Sequence, residues 1–155
     1  MAILEVRGLR TEFRGSRGPV VAVDDVSFDV DAGEFVALVG ESGCGKSATA
    51  QSIMGLIPPH AGRVTGGRIL FEGRDLLTMP AGELRRVRGK RMSMVFQDPM
   101  TSLNPVLTIG RQITEILETH LGLRSRAARM RAVELLEMVR IPAAESRLGA
   151  YPHEL

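Results

Sequence analysis

The run Gly40-Glu41-Ser42-Gly43-Cys44-Gly45-Lys46-Ser47 satisfies the pattern G-x-x-x-x-G-K-S/T in full. Glycines at this spacing let a backbone curl with its N–H groups turned inward, which makes a cradle for phosphate oxygens. A helix predicted to begin near Lys46 adds the positive end of its dipole to the same concavity. Lys46 then reaches the outer phosphates of a nucleoside triphosphate, and the Ser47 hydroxyl becomes a ligand for Mg²⁺. Cys44 is the only cysteine. It has no histidine placed to activate it, so it reads as a small loop residue whose backbone amide, not its thiol, serves the cradle.

Such a loop works only between a strand that aims it and a helix that closes it. Gly33-Glu34-Phe35-Val36-Ala37-Leu38-Val39 reads as a short buried strand before the loop, and Ala48 to Met54 as the helix after it. Upstream, residues 3 to 7 alternate in strand fashion. Val20 to Asp31 does so again, with Val21, Val23, Val26, Phe28 and Val30 apolar and the turn-forming Arg14 to Pro19 between the two. Downstream, Pro58-Pro59 is expected to end the first helix and Gly66-Gly67 to lead into a strand over Arg68 to Glu72. A short charged helix follows around Glu83 to Arg88, then a strand candidate at Met92 to Phe96. Ile109, Ile113, Ile116, Leu117 and Leu121 form one helical apolar face, and Ala128, Ala132, Leu135, Leu136 and Val139 another. Gly122 separates the two helices, and Ile141-Pro142 closes the second.

Composition narrows the classes further. With 155 residues, 44% hydrophobic and 25% charged, the chain has material for one core and no more than one domain. A balance of 20 basic against 18 acidic residues is too even to imply nucleic acid, and the Arg-rich run from Arg124 to Arg131 reads as a solvated helix face. No segment approaches bilayer length and no secretory leader is visible, so direct membrane insertion is not expected and a cytosolic setting is. A GTPase would need Asn-Lys-x-Asp and Asp-x-x-Gly, and neither occurs.

Several longer phrases carry a resemblance. Ala22 to Phe28, Val39 to Ser47, Ser52-Ile53-Met54-Gly55-Leu56, Met94 to Pro105 and Tyr151-Pro152-His153-Glu154-Leu155 resemble, in order and spacing, the ATP-binding subunits of ABC transporters, in particular the oligopeptide, dipeptide and nickel importer group. The resemblance implies an α/β P-loop NTPase fold of ABC ATPase type, with an antiparallel β layer and a helical subdomain. The β layer and phosphate-loop core would occupy residues 1–97, and the helical subdomain 98–150. It implies ATP and Mg²⁺ as cofactors. Gly40 to Ser47 would be the Walker A loop, Gln97 the Q-loop glutamine whose amide oxygen reaches Mg²⁺ and the attacking water, and Phe13 the aromatic that stacks on adenine. Partners implied are membrane permease subunits, met through the helical subdomain, and a second ATP-binding subunit. The implied location is peripheral, on the cytoplasmic face of the membrane.

The chain also departs from that group. Leu155 stands where the signature Leu-Ser-Gly-Gly would begin, so the Walker B aspartate, the catalytic glutamate and the switch histidine have no counterpart in these residues. His60, His120 and His153 match none of them by position. The expectation is a truncated product or part of a longer protein, with an incomplete core sheet, that binds ATP without hydrolysing it efficiently. The rival expectation is a non-catalytic fragment that binds nucleotide or docks on the permease.

Overall fold

The computed structural model describes residues 2–97 and 102–154. The chain divides into two compact units, the first ending at Arg85 and the second beginning at Arg86. Asp98, Pro99, Met100 and Thr101, which carry part of the Gln97 to Pro105 resemblance, and Leu155 lie outside the described residues.

In the first unit, alternating apolar residues build an antiparallel sheet. β1 (Ala2–Gly15) pairs with β2 (Gly18–Asp31) on one edge and with β3 (Gly62–Phe71) on the other, and β4 (Arg74–Asp75) completes the order β2-β1-β3-β4. The register sets Val6 opposite Phe28 and Ile69, and Thr11 opposite Val23 and Val64. The buried positions Val6, Leu9, Thr11, Val23, Ile69 and Phe71 form the core, joined by Leu76. α1 (Lys46–Ile53) packs on β1, β2 and β3. It is held there by a polar contact in an otherwise apolar layer: the buried Thr11 Oγ1 and Ser52 Oγ lie 2.8 Å apart, and Ser52 Oγ donates to Ala48 O at 2.6 Å. Both hydroxyls are thereby satisfied, which keeps their burial from costing stability.

The second unit is helical. α2 (Ala81–Val87) spans the division between the units, and α3 (Ile109–Leu121), α4 (Ser125–Met138) and α5 (Ala144–Arg147) follow, with a 3₁₀ turn at Pro152–Glu154. Ile109, Leu117, Ala128, Ala132, Leu136, Ala144 and Leu148 form its core. α3 is capped at both ends: Thr108 accepts a hydrogen bond from Arg111 N, and left-handed Gly122 ends the helix. The loop before it is clasped by Gln112, whose amide accepts from Asn104 N at 2.8 Å and donates to Asn104 O and Leu107 O, each at 3.0 Å.

Several sequence expectations are corrected here. Phe35 to Val39 forms no strand, and Phe35 and Val39 are 94% and 88% exposed. A segment apolar on both faces becomes a strand only when neighbours satisfy its backbone and cover its side chains, and none of the four strands pairs with it. Met92 to Phe96 likewise forms no strand and makes only an isolated bridge from Met92 to Arg88. α1 ends at Ile53, where Gly55 N and Leu56 N close the last turn on Ser52 O and Gln51 O, before the Pro58-Pro59 pair is reached. β3 begins at Gly62, so Gly66 and Gly67 lie within the strand, at a shift in its register with β1. α4 stops at Met138, ahead of Ile141-Pro142, and Arg140 takes a left-handed conformation. Ile116, Leu121 and Val139 lie on the exposed side of their helices.

The bare apolar segment has a measurable consequence. Replacing Phe35 and Val39 by lysine in a polypeptide of these residues is expected to reduce aggregation, read by light scattering, while leaving the thermal midpoint within a few degrees of the parent. Exposed apolar side chains drive association without contributing to the fold they leave bare. A large fall in the midpoint would show that the segment is packed in solution.

Candidate functional site: the glycine loop at the start of α1

The loop is placed by the sheet beneath it. Between the pairs Thr11–Val23 and Glu12–Val21 the register of β2 gains one residue, Ala22, a bulge that redirects its backbone. Gly45, the N-cap of α1, sits on that bulge with φ 96°, and a Cβ there would collide with the Ala22 carbonyl oxygen. Gly43 is also left-handed, with φ 83°, and faces open space. The two residues together reverse the chain so that α1 starts directly above the strand.

The resulting concavity is rich in donors. The first backbone bond of α1 runs from Thr49 N to Gly45 O at 2.8 Å, so the amides of Lys46, Ser47 and Ala48 have no backbone acceptor among the described residues. No acidic residue occupies the first turn. Lys46 Nζ folds back over the loop, donating to Gly40 O at 2.7 Å and Glu41 O at 2.6 Å, with Cys44 Sγ at 3.6 Å. The same loop thus carries a lysine ammonium and leads into unpaired amides at the positive end of a helix, an arrangement that favours an anion. Ser47 is exposed and its hydroxyl has no partner among the described residues, so it is free to take a metal ligand's place. The donor set fits a phosphate chain carrying a hard cation.

The other sequence candidates sit elsewhere. Phe13 is half-buried on β1 opposite Val20 and Gly62, lining a shallow depression of about 270 Å³ with Glu12, Arg14, Pro59 and Arg63. None of residues 40–47 lines that depression. Gln97 is exposed, at a bend in the second unit, whereas the loop belongs to the first. Sequence reasoning missed what supports the loop: Ala22 and Ser52 fall within phrases of the resemblance and Thr11 within none, and nothing local shows that all three lie beneath it. Only the register of the sheet reveals the bulge on which Gly45 rests.

Comparisons with known proteins identify the family and the fold. The family described as ABC transporter matches residues 23–155. The chain is 51% identical to the oligopeptide transport ATP-binding protein OppD of Bacillus subtilis, over 98% of the chain and 42% of the relative. It is 50% identical to the dipeptide transport ATP-binding protein DppD of the same organism, over 98% of the chain and 45% of the relative. The peptidoglycan transport ATP-binding protein YejF of Agrobacterium fabrum is 55% identical over 99% of the chain and 28% of that protein. The chain therefore spans less than half the length of these relatives. Among solved structures, the dimeric bacterial ABC transporter cassette MJ0796 superposes with a TM-score of 0.79 at 24% identity, over 98% of this chain and 62% of that one. CbiO1 of Clostridium perfringens gives 0.64 at 25% identity, over 93% and 53%. The fold is that of ABC ATPase cassettes, an open antiparallel sheet with helices, and the chain belongs to the ABC transporter family.

Proposed function

We propose that this chain is the ATP-binding part of an ABC importer subunit for peptides or chemically similar solutes. The observation that carries the proposal is the loop at Gly40 to Ser47, with its lysine ammonium tethered to the Gly40 and Glu41 carbonyls and three amides of the following turn left unpaired. In this reading the amides of the loop and of the first turn of α1 bind the phosphate oxygens, and Lys46 holds the outer phosphates. Ser47 and Gln97 would hold Mg²⁺, which when bound neutralises charge on the phosphates. Gln97 would also contact the attacking water, and Phe13 would stack on adenine. Relatives named for oligopeptide, dipeptide and peptidoglycan transport match this region almost equally well. That supports a shared nucleotide-handling role here, with solute choice made by other parts of the assembly. The helical unit would meet membrane permease subunits on the cytoplasmic face, and a second ATP-binding subunit would pair with this one. No helix among the described residues is long and apolar enough to cross a membrane, in keeping with a peripheral position.

No residue here matches by position the family's Walker B aspartate or catalytic glutamate, so a polypeptide of these residues should hold ATP without efficient turnover. The test is a titration with a fluorescent ATP analogue, with and without Mg²⁺, alongside steady-state phosphate release. Saturable binding displaced by unlabelled ATP, without sustained release, is the expected result. No saturable binding would overturn the ATP reading, and sustained release abolished by Lys46→Ala would overturn the claim of poor turnover.

A further inference from the structure

The second unit carries a basic groove that the proposed ATP chemistry does not use. It lies between α3 and α4, has a volume of about 560 Å³, and is lined by Arg111, Thr114 and Glu118 from α3 and by Ser125, Arg126 and Arg129 from α4. Its size is that of an ordinary small-ligand site.

The arginines of α4 fall into two kinds. Arg131 does not line the groove and is paired with Glu134 at 2.6 Å. Arg126 and Arg129 line the groove and have no hydrogen-bond or ion-pair partner among the described residues. Arg111 faces them and is held only loosely, 3.9 Å from Glu115 and 3.8 Å from Glu118. Three guanidinium groups are thus gathered around one cavity with a single carboxylate, Glu118, on its wall. The position of Arg126 and Arg129 near the start of α4 adds to the imbalance. They cluster at the positive end of the helix dipole, no acidic residue stands in the first turn, and the N-cap Arg124 makes no side-chain cap. Such an arrangement is unfavourable when empty and is relieved by an anion.

The lining also indicates which anion. Guanidinium forks bind phosphate through paired N–H bonds, and the partnerless Ser125 hydroxyl adds a neutral donor. No aromatic side chain lines the groove, so nothing there would stack on a nucleotide base. We propose that the groove between α3 and α4 is a second anion site, taking a phosphate group on a non-aromatic carrier: free phosphate or the headgroup of an anionic phospholipid.

The test separates this groove from the glycine loop by working in a Lys46→Ala background. Two probes are used: inorganic phosphate, followed by calorimetry, and phosphatidylcholine vesicles with and without phosphatidylglycerol, followed by co-sedimentation. Arg126→Gln with Arg129→Gln removes two charges while keeping side chains that favour helix. Arg17→Gln with Arg68→Gln, both exposed residues of the first unit, is the control for net charge. The groove pair is expected to weaken binding by at least about tenfold, the scale of one lost charge-assisted bond, with the control pair close to the parent. Phosphate binding lost in the groove pair supports the site with free phosphate sufficient. Loss seen only with phosphatidylglycerol vesicles supports it with the headgroup as ligand. Failure to bind either probe, or equal weakening by the control pair, overturns the proposal.

Discussion

Replacing Lys46 by alanine is expected to weaken ATP binding about a hundredfold, close to 2.7 kcal/mol, in a fluorescent-analogue titration. The estimate follows from the charge lost. Lys46 supplies the one ammonium held over the loop, and one to two charge-assisted bonds to phosphate contribute about 1.5 to 3 kcal/mol each. The unpaired amides of Lys46, Ser47 and Ala48 remain in the variant, so residual binding should persist and should weaken further with salt. The fold should tolerate the change. The tethers from Nζ to Gly40 O and Glu41 O are exposed, and water can replace them. A thermal midpoint within a few degrees of the parent, together with the loss of affinity, is the combined outcome expected. Undiminished affinity would remove Lys46, and with it the loop, from the nucleotide site.

Gly45→Ala should be a strongly damaging small substitution in the first unit, lowering its stability by about 3 kcal/mol and its thermal midpoint by more than about 10 °C. Two costs combine. Alanine at φ 96° is strained by about 1 to 2 kcal/mol, and its methyl group would press on the Ala22 carbonyl oxygen, which belongs to the sheet backbone and cannot yield cheaply. Gly43→Ala isolates the first cost. Its φ of 83° is also left-handed, but a methyl group there meets only open space, so about 1 kcal/mol is expected. Paired melts of the two variants therefore measure the close approach of loop and bulge directly. Equal losses would mean that Gly45 does not rest on Ala22 in solution. Nucleotide affinity should fall more for Gly45→Ala as well, because displacing the N-cap turns the first-turn amides away from the concavity.

Lys46 and Gly45 differ in how far the sequence alone marks them. Lys46 could be named from its place in the G-x-x-x-x-G-K-S/T pattern, because that spacing leaves few other uses for a lysine at the start of a helix. The weight on Gly45 could not, since a glycine in a loop motif shows that freedom of φ is useful and says nothing of what lies within reach of its missing side chain. That depends on the extra residue in β2, which sets Ala22 opposite no partner on β1. Gln112 is a parallel case. It reads as one polar position of α3, yet its amide makes three bonds to the loop from Asn104 to Leu107.

Resemblance of longer phrases carried the family, while local pattern by itself marked the candidate phosphate loop, α1, the β1–β2 hairpin and the two helices after residue 108. Each rests on short-range spacing: alternation by two, apolar faces by three and four, and a motif of eight consecutive residues. Tertiary structure alone decided what became of Phe35 to Val39, whose apolar run promises a buried strand and whose side chains lie bare. A helix satisfies its own backbone, so a sequence can specify it within a dozen residues. A strand is completed only by neighbours distant in sequence, and among the described residues none of the strands pairs with it to receive its hydrogen bonds or cover its faces.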